Sequence, residues 1–150
     1  MGVHPFSALP RVIDDRTKET MRMVTGIAQE AYMQAVGYAA LGTPVDEGVA
    51  RSNWIPSKNA SVRQVIPAFA PGEHLGQTET ANLGAVIAAT RRVSESFDAL
   101  KDQSLHSTNS VDYILRLNYT DHSAQAEPGF FDRAIPYAVQ KVRGKWRLKP

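Results

Sequence analysis

Four histidines, His4, His74, His106 and His122, are the side chains of this sequence best suited to hold a metal or move a proton near neutral pH. No two of them have the close spacing that puts two imidazoles on one helical face or turn, so spacing alone builds no zinc or iron site. Ser123 beside His122, with Asp112 or Asp121 near in sequence, supplies the groups of a hydrolase, but no nucleophile-elbow pattern surrounds the serine. The stretch from Gly42 to Gly48 lacks the following Lys-Ser/Thr of a phosphate loop, and no G-x-G-x-x-G occurs. The acid pairs Asp14/Asp15 and Asp46/Glu47 fall at a helix start and a turn, where exposed backbone amides account for them. With no cysteine there is no thiolate zinc site, cysteine nucleophile or disulfide, which fits a reducing cytosol or a particle assembled there. The expectation is a protein that is not an enzyme and uses no metal or cofactor.

Charge is uneven. The net charge is +2, yet the last ten residues contribute +5 through Lys141, Arg143, Lys145, Arg147 and Lys149, leaving −3 for the rest. With Trp146 among them, these cations form a candidate contact for a partner protein or for DNA phosphates. The alternation of Lys145, Arg147 and Lys149 with Trp146 and Leu148 reads as an added edge strand. The N-terminus shows no basic region followed by an apolar run, and no stretch approaches the ~20 apolar residues of a membrane helix. A soluble, unsecreted protein without membrane contact is therefore expected.

A chain of 150 residues is one domain's worth, and residues 1–150 are read as a single domain with an irregular lead-in over 1–10 and a basic tail over 141–150. Asp14 or Asp15 can cap a helix in which Met21, Val24, Ile27, Ala28, Ala31, Ala35 and Ala39 recur at three- and four-residue spacing. It should end near Leu41, with Gly42 free to take a positive φ and Pro44 unable to continue. Asp46-Glu47-Gly48 then reads as a turn, residues 49–55 as a strand bearing Trp54 as a core anchor, and residues 61–66 as its partner. Thr78 or Thr80 should start a second helix with Leu83, Val86, Ile87, Thr90, Val93 and Phe97 inward. Residues 104–108 and 111–119 could finish the sheet, the latter alternatively holding a helical turn. A third helix over 130–142 should be kinked or shortened by Pro136. The fold class is α+β: an antiparallel sheet packed against a long N-terminal helix and a second helix, with a shorter C-terminal helix.

Residues 67–77 and 121–129 are rich in proline and glycine and long for plain connections. They are expected to be loosely held within one subunit and ordered by neighbours, with Pro71, Gly72, Glu73, His74, His122, Gln125 and Pro128 as the candidate subunit-interface residues.

The run Thr43-Pro44-Val45-Asp46-Glu47-Gly48-Val49-Ala50-Arg51-Ser52-Asn53-Trp54 closely resembles the T-P-V-D-x-G-x-A-R-x-N-W signature of neck or tail-completion proteins of long-tailed bacteriophages, the minor tail protein Z-like group. Pro44, Asp46, Gly48, Arg51 and Trp54 are its structural motif. Ala68-Phe69-Ala70-Pro71-Gly72-Glu73 with Glu79-Thr80-Ala81-Asn82 resembles that family's loop into its second helix. Tyr113-Ile114, Leu117-Asn118, His122-Ser123-Ala124-Gln125-Ala126 and Pro128-Gly129-Phe130 resemble its distal block. Thr120 stands where the pattern has glycine, and Ser110-Val111-Asp112 replaces a more apolar, proline-containing approach to the tyrosine.

The resemblance implies a virion structural protein at the head-tail junction, assembled in the host bacterial cytoplasm. It would form a homo-oligomeric ring, a hexamer, around the DNA channel. Its partners would be a head connector, adaptor or stopper protein on one side and a tail terminator or tail tube protein on the other, with non-specific contact to channel DNA. Two alternatives stand beside it: a tail-terminator ring subunit of similar build, and a small DNA-binding module acting through the basic tail.

Overall fold

The computed structural model describes residues 8–74, 77–120 and 123–146. Its first element is a single helix, α1 (Leu9–Gly42), about 51 Å long at 1.5 Å per residue. It begins one turn earlier than the Asp14/Asp15 cap predicts, because Pro10 falls in the first turn, where its missing N–H would have had no helical partner anyway. Gly42 stays helical rather than adopting positive φ, and the helix ends as Thr43 turns extended ahead of Pro44. Phe130 packs directly on Gly42, in the space a side chain would fill.

The next segment departs from the expected strand over 49–55. Gly48, at φ 86°, opens a single helical turn, α2 (Val49–Ser52), and only then does β1 (Ile55–Lys58) begin. Residues 61–66 form no strand. The partner of β1 is instead β2 (Leu105–Thr108), antiparallel with Ile55 opposite Thr108 and Lys58 opposite Leu105. In a sheet of two strands both are edges, so Pro56 lies in β1 without removing a needed ladder bond.

Between them run α3 (Glu79–Glu95) and a 3-10 turn (Ala99–Lys101). After β2 come α4 (Ile114–Tyr119), the helical alternative for 111–119, and α5 (Ala134–Arg143). Pro136 does not kink α5. It is the third residue of a helix that starts at Ala134, so its absent N–H is again one with no helical acceptor.

The architecture is α+β, with α1 lying against both α3 and α5 and the small sheet against α3. Val36, Ala39 and Ala40 of α1 meet Trp54, Val86, Val111, Ile114, Phe130 and Ala134 in one core. Trp54 is 6% exposed; its indole Nε1 donates to Thr43 Oγ1 at 2.7 Å and its ring lies 5.7 Å from that of Phe131. Tyr32 ties α1 to the sheet by donating its hydroxyl to the His106 carbonyl.

Truncating Trp54 to alanine removes the core anchor and orphans the Thr43 hydroxyl, so Trp54→Ala is expected to cost about 3–5 kcal/mol in urea unfolding. Burial pushes the Tyr32 hydroxyl up to about 12, against the lowering effect of a backbone hydrogen bond at Ser57. The folded state thus retains a proton that the unfolded chain releases near pH 10. This contribution to stability is complete below pH 10 and is lost as pH rises through 12. Tyr32→Phe should flatten the decline in melting temperature between pH 9 and 12 relative to wild type.

Candidate functional site

Six of the buried polar side chains, Thr43, Arg51, Ser52, Asn53, Asn82 and Asn118, belong to the three sequence blocks singled out above. The fold gathers them around the C-terminal end of α1. Arg51, 2% exposed, is the hub. Its Nε and Nη2 donate to the Thr43 carbonyl at 3.0 and 2.6 Å, and Nη2 also reaches the Leu41 carbonyl at 3.0 Å. Nη1 donates to the Glu79 backbone carbonyl at 3.3 Å and pairs with the Glu79 carboxylate at 2.9 Å. The guanidinium therefore satisfies carbonyls that α1 leaves without partners and fastens them to the first turn of α3.

Ser52, Asn53 and Asn82 hold the irregular chain that follows. Asn53 mimics a strand neighbour for Ile66, accepting from its amide at 2.8 Å and donating to its carbonyl at 2.8 Å. Asn82 does the same for Ala70, at 2.9 and 2.8 Å, while its Oδ1 accepts from Ser52 Oγ at 2.8 Å. Ser52 Oγ in turn accepts from the Phe69 amide at 3.1 Å. Gly48 closes the arrangement: a Cβ there would lie 2.5 Å from Asn82 Nδ2 and 3.1 Å from the Ala70 carbonyl.

The distal block has its own knot. Asn118 accepts from the Phe131 amide at 2.8 Å and donates to Asp132 at 3.0 Å, and its carbonyl receives the Gly129 amide. Gln125 clamps Val45 from both sides, taking its amide at 2.7 Å and giving to its carbonyl at 3.1 Å.

The predicted motif residues thus come together, with Pro44, Gly48, Arg51 and Trp54 buried and Asp46 exposed. The interface candidates do not behave as loosely held loops. Backbone at 66, 69, 70 and 72 is tied to the body, Gly72 through its amide to the Glu47 carbonyl at 3.4 Å. Long connections were expected to lack internal partners, but here buried amide side chains supply them. Pro71, Glu73, His74 and Pro128 are exposed on this pinned backbone, as is Phe69 at 50%; Gln125 is engaged with Val45, and His122 lies outside the described residues.

An open groove of about 440 Å³ runs beside the signature turn, lined by Pro44, Asp46, Glu47, Tyr113, Arg116 and Ser123 among others. Burial, followed by the negative charges of Asp112, Glu47 and Asp46, raises the Tyr113 hydroxyl above its ordinary range.

Of the basic tail, Lys141 and Arg143 are exposed on α5, with Lys141 Nζ 5.2 Å above the Tyr137 ring. Lys145 and Trp146 are not in a strand. Both contact Glu30 of α1, each at 2.9 Å. Arg147 and Lys149 lie outside the described residues.

As chemistry, the site is an architectural clamp: its polar atoms bond to backbone, and none is presented to a substrate. Among the described residues no three of His, Cys, Asp and Glu cluster as metal ligands would, and no helix is long and apolar enough to cross a membrane. Asn82, Asn53 and Glu30 were not singled out by sequence reasoning; the available signal was an asparagine in the inward register of a helix beside a proline-rich loop. Compared with family models, curated proteins and solved structures, the chain gives no match.

Arg51→Ala leaves three backbone carbonyls without a donor in a dry environment, with an expected loss of about 3–5 kcal/mol. Glu79→Gln should cost less than about 1 kcal/mol, because that carboxylate is half exposed and its backbone carbonyl still receives the guanidinium. Urea unfolding of the two variants checks the asymmetry.

Proposed function

We propose that this chain is a non-enzymatic virion subunit of a phage neck, a ring-forming tail-completion protein that joins the head connector to the tail. The sequence resemblance supplies the family, and the polar clamp supports the reading because it uses the signature residues for architecture.

The observation that carries the proposal is a pair of exposed apolar faces at different ends of α1. From Leu9 to Thr20 every α1 side chain except Val12 is exposed, and the apolar positions Leu9, Ile13 and Val24 are 48, 58 and 42% exposed. The described hydrogen bonds from α1 side chains to the rest of the fold begin at Thr25, which accepts from the Ala99 amide. A free helix this short is marginal in water, so neighbour contacts are its natural support. At the other end, Leu115, Tyr119, Phe131, Ile135 and Val139 of the α4–α5 region are exposed, with Leu41 nearby in α1. Apolar side chains exposed in groups mark association surfaces. Two different faces are what a head-to-tail ring contact requires, since each subunit gives one and receives the other.

Native mass spectrometry and particle imaging, with the protein alone and mixed with a connector ring, test this. Rings are expected for wild type. Ile13→Asp and Ile135→Asp should each give monomers with melting temperatures within a few degrees of wild type, because surface changes away from packed sites cost about 0.5 kcal/mol or less. Wild-type protein that stays monomeric under both conditions overturns the proposal.

A further inference from the structure

The C-terminal arm runs antiparallel to α1. Phe130 packs on Gly42, the Tyr137 ring lies 4.5 Å from that of Tyr38, and Trp146 covers Gly26. Over that course the arm passes from the C-terminal end of α1 to its middle, heading toward the helix N-terminus. Its last described residues are firmly seated. A Cβ at Gly26 would fall 2.7 Å from the indole Cη2, so only glycine lets the ring lie this close. Glu30 accepts from the indole Nε1 and pairs with Lys145, each at 2.9 Å, and these two hydrogen bonds, Lys145 first, hold its carboxyl below the ordinary range.

Ahead of the arm lies a continuous line on α1. Counting back from Glu30 and Gly26 at three- and four-residue steps gives Met23, Glu19 and Asp15, side chains that share one face of the helix. Met23 is half-buried, while Glu19 and Asp15 are exposed. The sequence beyond Trp146 is Arg147-Leu148-Lys149-Pro150, two cations flanking one large apolar side chain.

We propose that residues 147–150 dock on this chain's own α1, with Leu148 over Met23 and Arg147 and Lys149 beside Glu19 and Asp15. Reach permits it: four residues span at most about 14 Å, and Glu19 lies about 10 Å along the axis from Gly26. Charge favours it on this face, although Arg16 and Arg22 border the line. Glu19 is already 3.2 Å from Arg16, but that pair is exposed and exchanges at little cost. The line is distinct from the Leu9, Ile13 and Val24 stripe, so the inference stands or falls independently of the ring.

The sequence contains no cysteine, which makes disulfide trapping direct. In the full chain, Met23→Cys with Leu148→Cys should form an intramolecular bond under mild oxidation at low protein concentration, since such bonds require Cα atoms within about 7 Å. It would read as a loss of two mass units in a monomer. Leu41→Cys with Leu148→Cys should stay reduced. Adding Gly26→Leu to the first pair should abolish the bond by unseating Trp146, with circular dichroism showing the helices intact. Disulfide-linked dimers would show that a neighbour's helix takes the tail, and free thiols in the first pair would show that the tail lies elsewhere; either result overturns the proposal.

Discussion

A guanidinium that is 2% exposed must have its donors matched, and Arg51 meets that demand with the end of α1 on one side and the start of α3 on the other. Desolvating a cation costs several kcal/mol, so the benefit lies less in net stability than in geometry. The acceptors at Leu41, Thr43 and Glu79 converge only when α1 stops where it does and α3 begins where it does. Thr43 then serves twice, its carbonyl toward Arg51 and its hydroxyl toward Trp54, so the hub and the apolar core share a residue. Displacing any one of these groups leaves another polar atom buried and unmatched.

The same economy explains the proline-rich segment. A loop with few side chains to bury needs its backbone paired from outside, and Asn53 and Asn82 each present an amide that donates and accepts as a neighbouring strand would. This is why residues 61–66 resemble a strand in composition yet form none: the pairing available to Ile66 comes from a side chain. The sheet is correspondingly small, and β1 finds its partner in β2, far along the chain.

Much of the helical content was legible because it rests on period. The stripe on α1 and the positions Leu83, Val86, Ile87, Thr90, Val93 and Phe97 on or after α3 repeat at helical spacing, and both helices stand near where the pattern places them. Residues 49–55 were not legible in this way. Four residues carry little periodic information, and the choice between strand and turn was decided by Gly48 at positive φ and by the need to aim Arg51 inward. Pro136 misled for a related reason: proline breaks helix interiors but suits first turns, and the start of α5 could not be placed from apolar spacing alone. The architectural role of the signature was legible as a turn; its buried hub was not, since a lone arginine in sequence reads as surface.

Rigidity near Arg51 and exposure elsewhere are linked. Polar satisfaction holds the C-terminal half of α1, α3 and the intervening loop in one arrangement, so Phe69, Pro71, Glu73 and His74 project from pinned backbone. Ordering a loop during association costs free energy, and a loop already ordered avoids that cost. The first turns of α1 show the opposite condition, a regular helix with little of its own fold to rest on. A subunit built this way presents one prepared surface and one that gains support on contact. In the proposed ring these roles are complementary, because a projecting helix finds its packing on a neighbour whose receiving face is already set.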